Sequence, residues 1–392
     1  MKTILIIFLI LFSFGFVAAQ NTDSKSDEGV KTELSEISRL SIGGYGQIDF
    51  NLPLHEEMRH NATLDVHRMV LLFGYQFSEQ TSFLTEIEME HVSEVYVEQA
   101  YLNHRFFPWL NLKAGLMLIP MGIINEFHES SAFHGVERPN IDNRLVPTTW
   151  REIGVGFHGN ILPIQTKYQV YVVNGFKSYD GGGTIRGIDG LRKGRQKGAE
   201  SIASHPNVSA KVDYYGISGL TIGLSAYSGK TQSNLYNGLA DDNLNALAEA
   251  DSSVISLTMV GFDARYRIGG FELRGQFIST ILSNTQAYNA LTGKDLGSRM
   301  QGYYMEAAYN VFRHFPSYSH ELIPFIRYEQ YDTHAATEGS LIRNNAYNHT
   351  EITMGLDYKL TQNAVLKADY QILKAKGVED QFQFNMGVAI AF

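Results

Sequence analysis

Residues 381–392 end the chain as a strand with two unlike faces. Phe382, Phe384, Met386, Val388, Ile390 and Phe392 alternate with Gln381, Gln383, Asn385, Gly387, Ala389 and Ala391. Successive side chains of a strand point to opposite faces, so this stretch carries one apolar face and one small or polar face. On the last strand of an open sheet, such a face beside an unpaired edge invites aggregation. A closed barrel in a bilayer removes the edge and lets lipid cover the face. The feature predicts an all-β fold, a transmembrane antiparallel β-barrel.

The other end of the chain points to the same compartment. Lys2 precedes an apolar run from Ile4 to Val17, and Val17-Ala18-Ala19 offers small residues for cleavage near Ala19. That is the pattern of a secretory signal peptide. Residues 1–19 are therefore read as the signal peptide, 20–39 as a polar periplasmic leader, and 40–392 as the barrel. No later stretch holds the roughly 18 apolar residues of a spanning helix. The chain has no Cys, which excludes disulfide staples, thiolate chemistry and lipid anchoring through cysteine.

Composition narrows the class further. Hydrophobic content is an ordinary 44%, as expected where every second strand residue faces water, and Tyr and Phe number 22 and 23, enough for interfacial girdles. A net charge of −9 argues against a nucleic-acid partner, which calls for a basic surface.

From Leu40 onward about sixteen strand-like segments follow one another. Links after the even segments are tight: Glu79-Gln80, Pro108-Trp109, Ser218, Gly269-Gly270 and Gln362. Several links after the odd segments are long, notably 122–148, 176–206 and 230–253. Short turns on one side and long loops on the other, with an even strand count, is the pattern of outer-membrane barrels. Charge falls on one parity of many segments. A charge facing lipid at the midplane costs about 2–4 kcal/mol for a cation, so that parity is assigned to the lumen. It places Arg68, Lys113, Lys211, Arg265, Arg267, Arg274, Arg327, Lys359 and Lys367 on the inner wall. Glu86, Glu88, Glu90, Glu98, Glu152, Asp213, Asp263, Glu272, Glu306, Glu329, Glu351, Asp357 and Asp369 share that wall. Acids outnumber bases there, which predicts cross-strand pairing more than a continuous basic track.

Three stretches carry a family resemblance. They are Gly43-Gly44-Tyr45-Gly46-Gln47; Gly135 to Asn140 with Val146 to Gly156; and Gly187 to Gly198. In order and spacing they resemble porins of the phosphate-selective porin O/P type, particularly Bacteroidetes members. The resemblance implies a sixteen-stranded barrel in the outer membrane of a Gram-negative bacterium, usually a homotrimer, with the third outer loop folded inward. The terminal Phe392 is similar to the signal such proteins present to the barrel-assembly machinery. Lipid and lipopolysaccharide are the implied surroundings.

The third outer loop would be residues 122–148, which carry Glu126, His128, Glu129, His134, Glu137, Arg138, Asp142 and Arg144. At a constriction these groups set the local potential; alternatively they hydrogen-bond the loop to the wall, and the two roles are compatible. The one dense cationic patch is Arg186, Arg192, Lys193, Arg195 and Lys197. It suits anions or lipopolysaccharide phosphates, although a solvated outer loop or subunit contact is the preferred reading.

Catalytic chemistry is missing from the pattern. The 13 His show no HExxH, no Gly-x-Ser-x-Gly elbow is present, and Asp180 to Thr184 lacks the ending of a phosphate loop. No cofactor, metal site or enzyme activity is expected. The expected function is passive diffusion of small hydrophilic solutes or ions. A substrate-specific anion channel of the phosphate type, and a plugged structural or adhesive barrel, are the alternatives.

Overall fold

The computed structural model describes residues 39–392 except Glu56 and Pro316. The expected signal peptide, and the leader up to residue 38, lie outside the described residues. Sixteen strands close into one antiparallel barrel. In chain order they are β1 Leu40–Leu54, β2 Thr63–Gln76, β3 Thr81–Glu90, β4 Glu94–Phe107, β5 Leu110–Leu118, β6 Arg151–Ile161 and β7 Thr166–Val173. There follow β9 Asn207–Ile217, β10 Leu220–Lys230, β12 Ser256–Ile268, β13 Phe271–Ser283, β14 Arg299–Tyr309 and β15 Glu321–Ala336. β16 Asn348–Thr361, β17 Ala364–Ala375 and β18 Gln381–Ala391 complete the ring. Two short strands, β8 Lys177–Tyr179 and β11 Gln232–Ser233, form a separate parallel pair.

Closure is made by the first and last strands. β1 pairs with β18 through Ile48↔Val388 and Phe50↔Met386, and Phe392 exchanges backbone hydrogen bonds with Gly44 at 2.9 and 3.0 Å. The terminal strand thus has both edges paired, which satisfies backbone groups that lipid cannot.

The period-2 pattern sorts the side chains as expected. Ile153, Val155 and Phe157 of β6, Val260 and Phe262 of β12, and Leu273 and Phe277 of β13 are exposed on the outer surface. Met386 and Ile390 of β18 join them. Their neighbours in sequence point inward and are polar or charged, such as Glu152, Asp263, Arg274, Gln276 and Asn385.

Three helices lie in the long connections: α1 Ile141–Arg144, α2 Leu244–Ser252 and α3 Thr285–Thr292. The sequence reading missed all three. α2 is capped by Asn243, whose side chain accepts from the Ala246 amide at 3.2 Å. α3 begins against Glu338, which accepts from the Thr285 amide at 3.0 Å, a cap that comes from another loop and has no local signature. β15 runs on to Ala336. Tyr331 to His334 are all buried there, so alternation disappears where loops cover both faces of the strand. None of the described helices is long and apolar enough to cross a membrane.

Candidate functional site: the barrel interior

A non-repetitive segment buried among strands must find partners for its backbone groups. The 122–148 connection finds them on strands all round the ring. Lys211 of β9 donates to the Gly122 carbonyl at 2.6 Å, and Gln276 of β13 accepts from the Ile123 amide at 2.7 Å. Arg274 of β13 donates to the Ala132 carbonyl at 3.1 Å. Arg327 of β15 reaches the carbonyls of His134 and Glu137, both at 3.2 Å. Lys367 of β17 gathers three carbonyls, from Ser130, Phe133 and Gly135, at 2.5, 2.6 and 2.8 Å. Wall acids take the amides: Asp369 from Val136 at 2.6 Å and Glu329 from Ile141 at 3.2 Å. Gln47 of β1 closes the circuit by donating to the Val136 carbonyl at 3.2 Å.

The wall groups pair with one another as well. Arg327 lies 3.2 Å from Glu306 and 3.1 Å from Glu329, and Arg274 lies 3.0 Å from Glu306. All four are buried. Hydrogen bonds to charged groups contribute about 1.5–3 kcal/mol each, so these cations and acids hold the segment in place. Lys211, Arg274, Arg327 and Lys367, read from sequence as lumen charge, thus act as anchors.

The segment's own side chains divide in the same way. Glu126 accepts from Gln169 at 2.7 Å, Glu137 from Asn51 at 3.2 Å, and Asp142 from Gln276 at 2.9 Å. His134 bonds Asp357 at 2.6 Å. His128 sits 3.0 Å from Glu98 and 3.7 Å from Glu86, with the Tyr45 hydroxyl at 2.9 Å. Burial opposes charge on the His128 imidazole, but Glu98 and Glu86 outweigh it and hold the pKa up to about 10. Glu129 is half-buried, with Oε2 unpartnered among the described residues. Arg144 lies 3.7 Å from Asp189 and is about one-third exposed. Arg138 makes no hydrogen bond or ion pair among the described residues and instead lines open space.

An apolar cluster also occupies the interior. Ile119, Ile123, Ile124, Phe133, Ile141 and Leu145 pack with Trp150, Phe176 and Tyr227. Trp150 donates through Nε1 to Glu152 at 2.8 Å, and Tyr227 donates to the same carboxylate at 3.0 Å. Glu152 is therefore buried and hydrogen-bonded within this cluster rather than facing water.

Two cavities remain beside the segment. One, of about 430 Å³, is lined by Ile123, Ile124 and Phe127 together with Arg265, Arg267, Arg274, Lys359 and Glu272. Arg267, at the end of β12, is 71% exposed at its side chain, so it stands at the rim rather than on the inner wall. The other is only about 20 Å³ and is lined by Arg68, Arg138, Arg151, Arg192, Arg195 and Lys197, with Glu88, Glu90 and Tyr96. Lys113 lines neither; its ammonium sits 3.9 Å over the Tyr101 ring.

The small cavity joins residues from distant parts of the chain. Arg192 donates to the Thr148 carbonyl at 2.6 Å, and Arg195 to the Pro147 and Thr149 carbonyls at 3.0 and 3.2 Å. These bonds fix both guanidinium groups without neutralising them. Gly190 makes the approach possible: its φ is +56°, and an added Cβ would stand 2.1 Å from the Arg144 carbonyl oxygen. Arg68 is 1% exposed and 3.8 Å from Glu88, and its Nε and Nη1 have no hydrogen-bond partner among the described residues. Lys197 stands 4.4 Å over the Tyr96 ring. Burial first, then repulsion from Arg195 and Arg151, lowers its pKa below the usual lysine value.

The cationic patch is thus split. Arg186 and Lys193 are exposed, as a solvated loop requires, while Arg192, Arg195 and Lys197 turn inward. Exposure of the first two fits a solvated loop, and the inward turn of the other three departs from it. Arg151 and Asn125 were not singled out as site residues, because their importance comes from long-range packing. Asn125 donates to the carbonyls of Ile119 and Trp150 at 2.7 and 2.9 Å, joining the two ends of the segment.

Comparison with solved structures identifies the architecture. The anion-selective porin of Comamonas acidovorans is similar with a TM-score of 0.58 at 15% identity, covering 90% of this chain and 99% of that one. The outer membrane channel DcaP of Acinetobacter baumannii gives 0.59 at 11% identity over 90% and 97% of the two chains. OmpT, an outer membrane protein of Vibrio cholerae, in its trimer form, gives 0.53 at 11% identity over 90% and 100%. At these identities the likeness is one of fold. No protein-family model matches the sequence. In sequence, the chain is 33% identical over 341 residues to an uncharacterized protein of Aquifex aeolicus (strain VF5), covering 84% of this chain and 75% of that protein. The chain belongs to the family of that Aquifex protein, and its barrel has the fold of the outer-membrane porins.

Proposed function

We propose that the protein is an outer-membrane porin that passes small hydrophilic solutes by diffusion and prefers anions. The carrying observation is the charge around the two interior cavities. Arg265, Arg267, Arg274 and Lys359 face Glu272 at one, and six cations face Glu88 and Glu90 at the other. The net charge of the chain is −9, yet the linings of both cavities carry more cations than acids. Fixed positive charge in a confined, poorly screened space attracts anions and repels cations. In this reading the 122–148 segment forms the constriction, with Arg138 its charge on the path.

The outer apolar belt supports insertion in a bilayer, and the expected signal peptide fits export to the outer membrane. A homotrimer, contact with lipopolysaccharide, delivery through the Phe392 strand and membership of the phosphate-selective O/P type rest on the resemblance. The Comamonas porin, which is anion-selective, and the Vibrio protein, solved in a trimer form, fit that picture. A plugged structural barrel is the second reading, favoured by the small size of the Arg68 cavity, about 20 Å³.

Refolded protein in a planar bilayer separates these. Stepwise conductance that rises with salt supports the channel. Electrical silence from protein shown to be folded and inserted supports the plugged barrel instead.

A further inference from the structure

Two histidines and two aspartates meet on the inner side of β1 and β2, where Gln47 also donates to Asp49 Oδ2 at 2.6 Å. Gln47 of β1 pairs with Arg68 of β2, and Asp49 pairs with Asp65, so the register slips by one residue between them. The extra residue is a bulge on β2, a device that re-aims a side chain. It brings His67 beside Asp49, with Nδ1 3.7 Å from Asp49 Oδ2 and 3.9 Å from Asp65 Oδ2. His91 comes from the turn between β3 and β4. Its amide donates to the His67 carbonyl at 3.2 Å, and its Nδ1 lies 2.5 Å from Asp65 Oδ2.

The ligand atoms of Asp65, His67 and His91 all lie within 4.8 Å of one another. A tetrahedral zinc, with ligand bonds near 2.0–2.2 Å, holds its donor atoms about 3.3 Å apart. Modest side-chain rotation closes that difference. The His67 and His91 rings are 5.4 Å apart at 81°, not stacked against each other. Among the described residues the His67 ring has no hydrogen bond, and Asp49, 2% exposed, has an unpartnered Oδ1. The turn that presents His91 is itself unusual: His91 and Val92 have φ of 51° and 66°. A β-branched residue seldom adopts that region, and such outliers gather at sites of function.

We propose that Asp65, His67 and His91, with Asp49 as fourth donor, form a site for a divalent transition-metal ion of the zinc class. Imidazole ligands select such metals over magnesium or calcium, which prefer all-oxygen sets. Two carboxylates balance the charge of a dication, so the site tolerates Arg68 as its neighbour. The second cluster of this kind, Glu86, Glu98 and His128, is buried and held closed by its own hydrogen bonds. This inference does not rest on the porin reading.

Calorimetric titration of zinc into the folded, detergent-solubilised chain tests it, with magnesium as the control. The expected result is one zinc per chain and no matching magnesium heat. Affinity should fall at least about tenfold in His91→Asn and in His67→Gln. His91 lies on an exposed turn, and Asn tolerates its left-handed backbone, so that variant keeps the barrel intact. X-ray absorption of the zinc-loaded wild type should show two imidazole ligands. No zinc binding, binding unchanged in both variants, or a spectrum without two imidazoles overturns the proposal.

Discussion

Asn125 grips Trp150 from both sides of its backbone: Oδ1 accepts from the Trp150 amide at 2.8 Å, and Nδ2 donates to the Trp150 carbonyl at 2.9 Å. Both residues are fully buried. One carboxamide thus ties the start of the inward segment to the residue just before β6. Asn125→Ala leaves the buried Trp150 amide without its partner, at about 1–3 kcal/mol. The sixteen-strand barrel should still form, because its ladders are untouched. The segment should loosen, which single-channel recording reads as larger and noisier current than wild type.

Charge reversal at Arg138 tests the constriction. Its side chain lines the small cavity with no partner among the described residues, so Arg138→Glu removes a positive charge without breaking an anchor. The reversal potential in a salt gradient should move toward cation preference. Lys193→Glu, on the exposed part of the same patch, should shift it far less.

Lys197 gives the anion preference a pH dependence. Burial and the neighbouring Arg195 and Arg151 lower its pKa, so it loses its proton before an ordinary lysine does. Anion preference should weaken as pH climbs from neutral toward about 10, the ordinary lysine range. In Lys197→Gln the alkaline change should shrink, and preference at neutral pH should already be reduced. Equal pH profiles for the two proteins contradict the assignment.

His128 makes the fixing of the segment depend on pH in the opposite chemical sense. Its folded pKa of about 10 lies above the ordinary histidine value of about 6.5, so the cation is stabilised by folding. That contribution is fully present below about 6.5 and is lost as pH rises through about 10. Protease cleavage within residues 122–148 should accelerate over that alkaline range in wild type. His128→Leu should be cleaved faster at neutral pH and show a flatter profile.

The wall was legible in the sequence, because period-2 alternation is local and lipid enforces it. The strand expected at 381–392 matches β18 to within a residue. The interior was less so. Lys367 and Asp369 share the charged parity of β17, and the sequence predicts only that they face inward. That one collects the carbonyls of Ser130, Phe133 and Gly135 while the other takes the Val136 amide depends on a segment more than two hundred residues away. The same holds for Arg192 and Arg195, whose Gly-rich setting reads as a solvated loop until Gly190 brings it against the Arg144 carbonyl. His67 and Asp49 became neighbours through a one-residue bulge, which alternation alone does not reveal.

The most direct test of the central claim is the sign of the reversal potential for the refolded wild-type protein under a potassium chloride gradient. Cationic cavity linings predict a potential displaced toward the chloride equilibrium potential, and displaced less as salt on both sides screens those linings. A displacement toward potassium would mean that the acids of the wall, not Arg68, Arg138, Arg195 and Lys197, govern the path, and would contradict the account.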